Sequence, residues 1–176
     1  MCNGYNRALK ITDAKYKVYI HQDTFIYNKN FISDILHIFK NKKIGCIGLA
    51  GCAKLTESGI WWRGDTNCGK VIMEKEFEEY NAFEYGAVKG LYQEAEALDG
   101  VLLVTQYDVE WREDLFTGWH FYDVSMCMEM RKRGYDTVVV NQGDDYWALH
   151  CPGNKMLDLD YEKYRNIFLN EYFTNK

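Results

Sequence analysis

Four ionisable side chains stand where catalytic or metal-binding groups commonly occur. His21 and Asp23, in the sequence HQD, directly follow a short β-rich run, and His150 follows a late apolar run. Because imidazole nitrogens and carboxylate oxygens bind divalent cations, these three residues form a candidate site for Mn²⁺ or Mg²⁺. Asp123 is the fourth, and we expect all four to converge on one site.

Asp123 lies within Gly118–Arg133, GWHFYDVSMCMEMRKR, and is predicted to stand in the first turn of a helix. The helix dipole favours a carboxylate there, and its side chain can point into a cleft. As a general base it can take the proton of an attacking hydroxyl, while a cation neutralises charge on a diphosphate leaving group. The alternative is that Asp123 only caps its helix and that HQD occurs by chance.

Asp99 directly precedes Gly100 and an apolar strand, where it can position an acceptor or help to order the metal site. Two adjacent tryptophans, Trp61 and Trp62, occur in residues 51–69, a turn-rich stretch that we expect to be a long loop. Their aromatic planes can stack on the apolar C–H face of a sugar ring. The alternative is that one of them fills the core, and the sequence leaves both interpretations open.

The rest of the pattern predicts an α/β fold in one domain, residues 1–176, because this length supports one substantial core. A strand that delivers polar residues at its end is where open α/β sheets bind ligands. We expect strands at 16–20 (a central one), 44–49, 71–73, 101–105, 137–140 and 149–150, an acidic solvated stretch at 74–79, and helices at 2–11, 31–40, 122–133 and 160–173.

Composition narrows the classes of function. A net charge of −5 argues against a large nucleic-acid-binding surface. The longest uncharged apolar run, residues 44–53, is about half the length of a membrane-spanning helix, and the N-terminus lacks a signal-peptide pattern. The six cysteines form no C-x-x-C pair, which favours a reduced, cytoplasmic chain.

Several long segments resemble the streptomycin-biosynthesis StrF-like branch of the family 2 glycosyltransferases. They extend from about residue 2 to residue 150 and are AKYKVYIHQDTFI, IGCIGLAG, LDGVLLVTQYDVEWREDLF, GWHFYDVSMCMEMRKRGYDTVVV and WALH. The resemblance implies the GT-A fold, a three-layer α/β/α arrangement with a mixed central sheet. It also implies inverting transfer of a sugar from a nucleotide-diphosphate-sugar donor to an acceptor hydroxyl.

The same resemblance implies a role for each candidate residue. HQD takes the place of the usual D-x-D metal motif, with His21 where the first aspartate is common and Asp23 as the retained acid. Asp123 in HFYD matches the catalytic base, and His150 matches a late histidine that completes the metal or diphosphate site. Asp99 matches the aspartate before the acceptor-side strand.

The resemblance further implies that the domain is N-terminally incomplete. Family domains begin with a strand, a helix and a second strand that binds the nucleotide base, whereas this chain resembles them only from the following helix onward. We therefore expect the first nucleotide-binding strands to be missing. The sheet edge exposed in this way would favour a homodimer.

Three functions remain open from the sequence. The first is a glycosyltransferase in polysaccharide or glycoconjugate synthesis. The second is an inactive truncated remnant that binds sugar or protein through the loop containing Trp61 and Trp62, and turnover of a donor would separate the two. The third is a metal-dependent hydrolase, but a base at a helix start beside a strand-end motif favours transfer.

Overall fold

A computed structural model of the chain describes residues 1–76, 79–152 and 160–174. The helices are α1 Cys2–Ile11, α2 Phe31–Ile38, α3 Tyr122–Lys132 and α4 Asp160–Leu169, which continues as a π-helical turn over Asn170–Thr174. The strands are β1 Lys17–Ile20, β2 Thr24–Ile26, β3 Ile44–Gly48, β4 Ala50–Lys54, β5 Asp65–Glu76, β6 Glu79–Gly86, β7 Tyr92–Glu94, β8 Ala97–Leu98, β9 Leu102–Thr105, β10 Asp136–Val140 and β11 Ala148–His150.

These strands form two mixed sheets. The order is β1-β9-β3-β10-β7 in the five-stranded sheet and β2-β11-β5-β4-β8 in the six-stranded sheet, where β6 also pairs with β5. β3 and β10 are parallel, and β9 is antiparallel to both β1 and β3. The carboxyl ends of β1, β3 and β10 therefore lie at one edge of the five-stranded sheet.

Helices cover both faces of the five-stranded sheet. Side chains of α1, α3 and α4 share a hydrophobic cluster with Leu103 and Val139, whereas those of α2 share a second cluster with Leu102 and Val138. Consecutive side chains of β9 and of β10 therefore belong to clusters on opposite faces of the sheet, because successive side chains of a strand point to opposite faces. This arrangement confirms the predicted α/β fold, with its three layers and mixed sheet.

The prediction that the first strand is central is wrong, because β1 lies at the end of its sheet and within the described residues pairs only with β9. Burial alternates along this strand. Lys17 and Tyr19 are buried, whereas Val18 is 40% exposed. Tyr19 packs against Tyr5 of α1 and against Trp111. The missing N-terminal strands and the homodimer stay predictions.

Residues 51–69 do not form the one long loop that is predicted, because strands occupy residues 51–54 and 65–69. Most of β4 and the start of β5 fall within them, and the true connection, residues 55–64, includes a 3₁₀ turn at Trp61–Arg63. Glycine-rich composition concealed these strands. Gly51 packs so closely on β8 that an added Cβ would collide with the carbonyl oxygen of Ala97.

The acidic stretch at residues 74–79, predicted to be solvated, includes the end of β5 and the start of β6, where Glu74 pairs with Tyr80. Residues 77 and 78 lie outside the described residues. The helix predicted at 2–11 has these ends in the structure, and the other predicted elements are present with shifted ends. None of the helices in the described ranges has both the length and the apolar character needed to cross a membrane.

Candidate active site

His21, Asp23 and His150 lie together beyond the end of β1. The backbone N–H of His21 donates to the carbonyl of Val101, directly before β9. His150 ends β11 and lies opposite Thr24 of β2, which brings it beside the HQD segment. One ligand atom from each of the three residues lies within 4.8 Å of the others. The sequence prediction placed them together, and their role as ligands stays a prediction.

The donor set of this cluster fits a divalent cation. Nε2 of His150 lies 3.2 Å from Oδ1 of Asp23 and 3.4 Å from Nδ1 of His21. Two imidazole nitrogens and one carboxylate oxygen supply three ligands, and the remaining positions suit water or phosphate oxygens. Because imidazole prefers transition metals and Mg²⁺ prefers oxygen ligands, the set favours Mn²⁺ over Mg²⁺.

Asp123 stands in the first turn of α3, as predicted. Its Oδ1 accepts a hydrogen bond of 2.8 Å from the N–H of Val124, and its Oδ2 accepts one of 2.9 Å from the N–H of Gly100. Phe121, directly before the helix, has φ of 60°, an uncommon backbone conformation for a bulky residue. Strained residues of this kind are concentrated at functional sites.

The environment of Asp123 suits a base at neutral pH. Its pKa is raised to about 7, first because burial disfavours the charged carboxylate and second because the negative charge of Asp99 lies nearby. The hydrogen bonds from Gly100 and Val124 act in the opposite direction and limit the rise. A general base works best when its pKa is close to the working pH.

The turn at Asp99–Gly100 connects Asp123 to the cation cluster. While the N–H of Gly100 donates to Asp123, its carbonyl accepts a 3.1 Å hydrogen bond from the hydroxyl of Tyr122. The same hydroxyl lies 2.6 Å from Nε2 of His21. A Cβ on Gly100 would collide with this hydroxyl, so the junction requires glycine.

Asp99 belongs to the side of the site that contains Asp123. Its Oδ1 accepts a hydrogen bond of 2.8 Å from the N–H of Val101, which closes the turn before β9. Its charge contributes to the raised pKa values of both Asp123 and Tyr85. The cation cluster found in the described ranges does not include Asp99. The two roles expected for Asp99, in positioning an acceptor or in ordering the metal site, both stay predictions.

A pocket of about 110 Å³ opens beside Asp123 and is lined largely by aromatic side chains. The rings that line it are Trp61, Trp62, Trp119, His120, Phe121 and Tyr161. Trp61 is only 4% exposed and packs on Tyr85, whereas Trp62 is 42% exposed and Trp119 is 56% exposed. Of the two tryptophans singled out by sequence, Trp61 is therefore a core residue, and Trp62 has an accessible indole.

Sequence reasoning missed several residues of this site. Trp119, His120 and Tyr122 lie beside Asp123 in the chain, so their neighbourhood could have identified them. Tyr161 comes from α4, and no local signal connects it to the site. Two larger pockets, of about 780 and 370 Å³, contain none of the predicted site residues. His37 lines the larger one.

Comparison with known protein families supports the sequence resemblance. Residues 1–172 match a family described as "Glycosyltransferase like family". The match agrees with the resemblance to family 2 glycosyltransferases and does not distinguish the StrF-like branch. No curated protein matches the chain significantly.

Proposed function

We propose that this chain, which belongs to the glycosyltransferase-like family, transfers a sugar from a nucleotide-diphosphate-sugar donor to an acceptor hydroxyl with inversion. The observation that carries the proposal is the position of Asp123. A carboxylate with a pKa of about 7 lines an aromatic pocket and is connected through Gly100 to a candidate cation site. Synthesis of a polysaccharide or glycoconjugate is the process that we propose for it.

Asp123 acts as the general base in this proposal. An acceptor hydroxyl in the aromatic pocket gives its proton to Asp123 as its oxygen bonds to the anomeric carbon of the donor. The bond between that carbon and the diphosphate oxygen breaks on the opposite face, and its electron pair leaves with the diphosphate. Attack opposite to the leaving group inverts the configuration.

His21, Asp23 and His150 would hold the divalent cation, which, when bound, supplies positive charge against the diphosphate. Asp23 and His150 retain only 20% and 12% exposure of their side chains. Partial shielding from water strengthens electrostatic interactions at this position. In this proposal the leaving group would lie on the other side of the Gly100 junction from the base.

The accessible indoles of Trp62 and Trp119 are the surfaces that we assign to the acceptor sugar. Aromatic planes beside a catalytic carboxylate can align a sugar ring through its apolar face and leave its hydroxyls for polar contacts. Asp99 is suited to accept a hydrogen bond from such a hydroxyl. Trp61 supports this surface from the core, with its ring at 89° to that of Trp62.

The family match does not favour the alternative of an inactive binding module. All six cysteines are free thiols, five of them buried, which supports the proposed cytoplasmic setting. We treat residues 1–176 as one glycosyltransferase domain. Homodimerisation through the outer edge of β1 is part of the proposal, and sedimentation that shows a strictly monomeric species would contradict it.

Calorimetric titration with UDP and GDP, with and without Mn²⁺, tests the donor side of this proposal. We expect one nucleotide to bind in the presence of Mn²⁺ and to bind weakly without it. The variant Asp23→Ala should lose the dependence on Mn²⁺ while it keeps its fold. Absence of binding by the wild type under all of these conditions would contradict the proposed donor site.

A further inference from the structure

The hydroxyl of Tyr122 is buried between the candidate base, Asp123, and the cation cluster of His21, Asp23 and His150. The whole residue is only 3% exposed, and its ring packs near those of Tyr5 and Trp111, with centroid distances of 6.1 and 5.8 Å. Its oxygen contacts the carbonyl of Gly100 at 3.1 Å and Nε2 of His21 at 2.6 Å. A packed ring and two polar contacts fix the position of this hydroxyl.

We propose that Tyr122 is a positioning residue that holds His21 in the tautomer with hydrogen on Nε2, so that Nδ1 carries the lone pair that binds the cation. This inference rests on the cation site of the proposed function. It adds a residue that touches neither the cation nor the reacting atoms, and it states which nitrogen of His21 serves as the ligand.

The proton inventory supports this assignment. A tyrosine hydroxyl has one hydrogen to donate, and a backbone carbonyl can only accept. Both contacts of Tyr122 are satisfied only if its hydrogen goes to Gly100 and its oxygen accepts the N–H of His21. A neutral imidazole with hydrogen on Nε2 carries its lone pair on Nδ1.

The geometry places that lone pair where a cation would need it. Nδ1 of His21 faces Nε2 of His150 at 3.4 Å, within the cluster that includes Asp23. Partners that hold the second nitrogen of a metal-binding histidine fix its tautomer and orientation. Tyr122, which directly precedes the candidate base Asp123, would do so for His21.

The substitution Tyr122→Phe tests the inference because it removes the hydroxyl and keeps the ring. In ¹⁵N-histidine-labelled wild type, long-range nitrogen–proton spectra should show His21 with hydrogen on Nε2. In the variant, His21 should populate the other tautomer as well, and Mn²⁺ affinity should fall about 10- to 100-fold. Tyr164→Phe is the matched control, because Tyr164 is equally buried and its hydroxyl bonds Thr117.

A double variant distinguishes positioning of His21 from a general structural effect of the substitution. If Tyr122 acts through His21, adding Tyr122→Phe to His21→Ala should cause no further loss of Mn²⁺ affinity. An equal loss in both backgrounds would overturn the inference, as would hydrogen on Nδ1 of His21 in the wild type. The tautomer measurement needs no cation, so failure of wild type to bind Mn²⁺ would contradict the proposed cation site separately.

Discussion

The carboxylate of Asp123 accepts a 2.9 Å hydrogen bond from the backbone N–H of Gly100. This bond joins the start of α3 to the turn before β9. Because the carbonyl of Gly100 is bonded to Tyr122, a single glycine residue fixes the candidate base relative to the cation cluster. The relative position of Asp123 and the cation cluster therefore depends on local packing at the turn that contains Gly100.

The raised pKa of Asp123 predicts the pH dependence of transfer. Below about pH 7 the carboxyl group is protonated and cannot act as a base, so kcat/KM should rise about tenfold per pH unit and level off above pH 7. Initial rates across the pH range at subsaturating acceptor would measure this. A rate that is flat between pH 5 and pH 8 would contradict Asp123 as the base.

Asp99→Asn should move this profile to lower pH. The negative charge of Asp99 is one of the causes of the raised pKa of Asp123, so its removal makes the base easier to ionise. The midpoint of the pH–rate profile should lie at lower pH than in wild type. Relative to wild type, the variant should therefore lose less of its rate near pH 6 than near pH 8. Asp144→Asn, a change outside this site, should leave the midpoint in place, and an upward shift in Asp99→Asn would be inconsistent with the account.

Substitution of the tryptophans should have two distinct effects. Trp62→Ala and Trp119→Ala should each raise KM for the acceptor about 2- to 10-fold with little change in stability, because their indoles are accessible. Trp61→Ala should instead lower the free energy of unfolding by about 3–5 kcal/mol, because this ring is buried. Acceptor kinetics and thermal denaturation would measure these effects. An unchanged KM for the acceptor in both Trp62→Ala and Trp119→Ala would contradict the proposed acceptor surface.

Gly100→Ala should disrupt the junction. An added Cβ would collide with the hydroxyl of Tyr122, so the free energy of unfolding should fall by about 1–3 kcal/mol, with a loss of Mn²⁺ affinity. Gly4→Ala is the control, because Gly4 lies in α1 with open space around its Cβ position. That change should be neutral or stabilise the protein by up to about 1 kcal/mol. Chemical denaturation would compare them, and a fully stable Gly100→Ala would refute the packing argument.

Much of the site could be predicted because its signals are local. HQD follows a β-rich run, and Asp123 begins a segment with helical period, so both positions follow from a few neighbouring residues. Proximity of His150 depends on the pairing of β11 with β2, which is a long-range contact. The sequence indicated it through the ligand chemistry of the side chain and its position after an apolar run, and the strand pairing itself has no local signal.

Other features depend on packing that the sequence does not display. The edge position of β1 is set by which strands pair, and the run YKVYI is compatible with an edge or a centre. Trp61 and Trp62 have identical side chains, yet a tight 3₁₀ turn sends one indole into the core and leaves the other accessible. The contact of Tyr122 with His21 joins residues 101 positions apart.

The central claim is that Asp123 is the base of a sugar transfer reaction, and the most direct test is transfer by wild type and by Asp123→Asn. Purified protein would be incubated with Mn²⁺, a panel of nucleotide-diphosphate sugars and sugar acceptors, and the glycosidic product quantified with its anomeric configuration. Asp136→Asn, at the start of β10 and in an ion pair with Lys43, is the matched control. We predict an inverted product from wild type and control, and a rate about 10²- to 10⁴-fold lower in Asp123→Asn, with donor binding retained. Equal transfer by Asp123→Asn, or a product with retained configuration, would contradict the account.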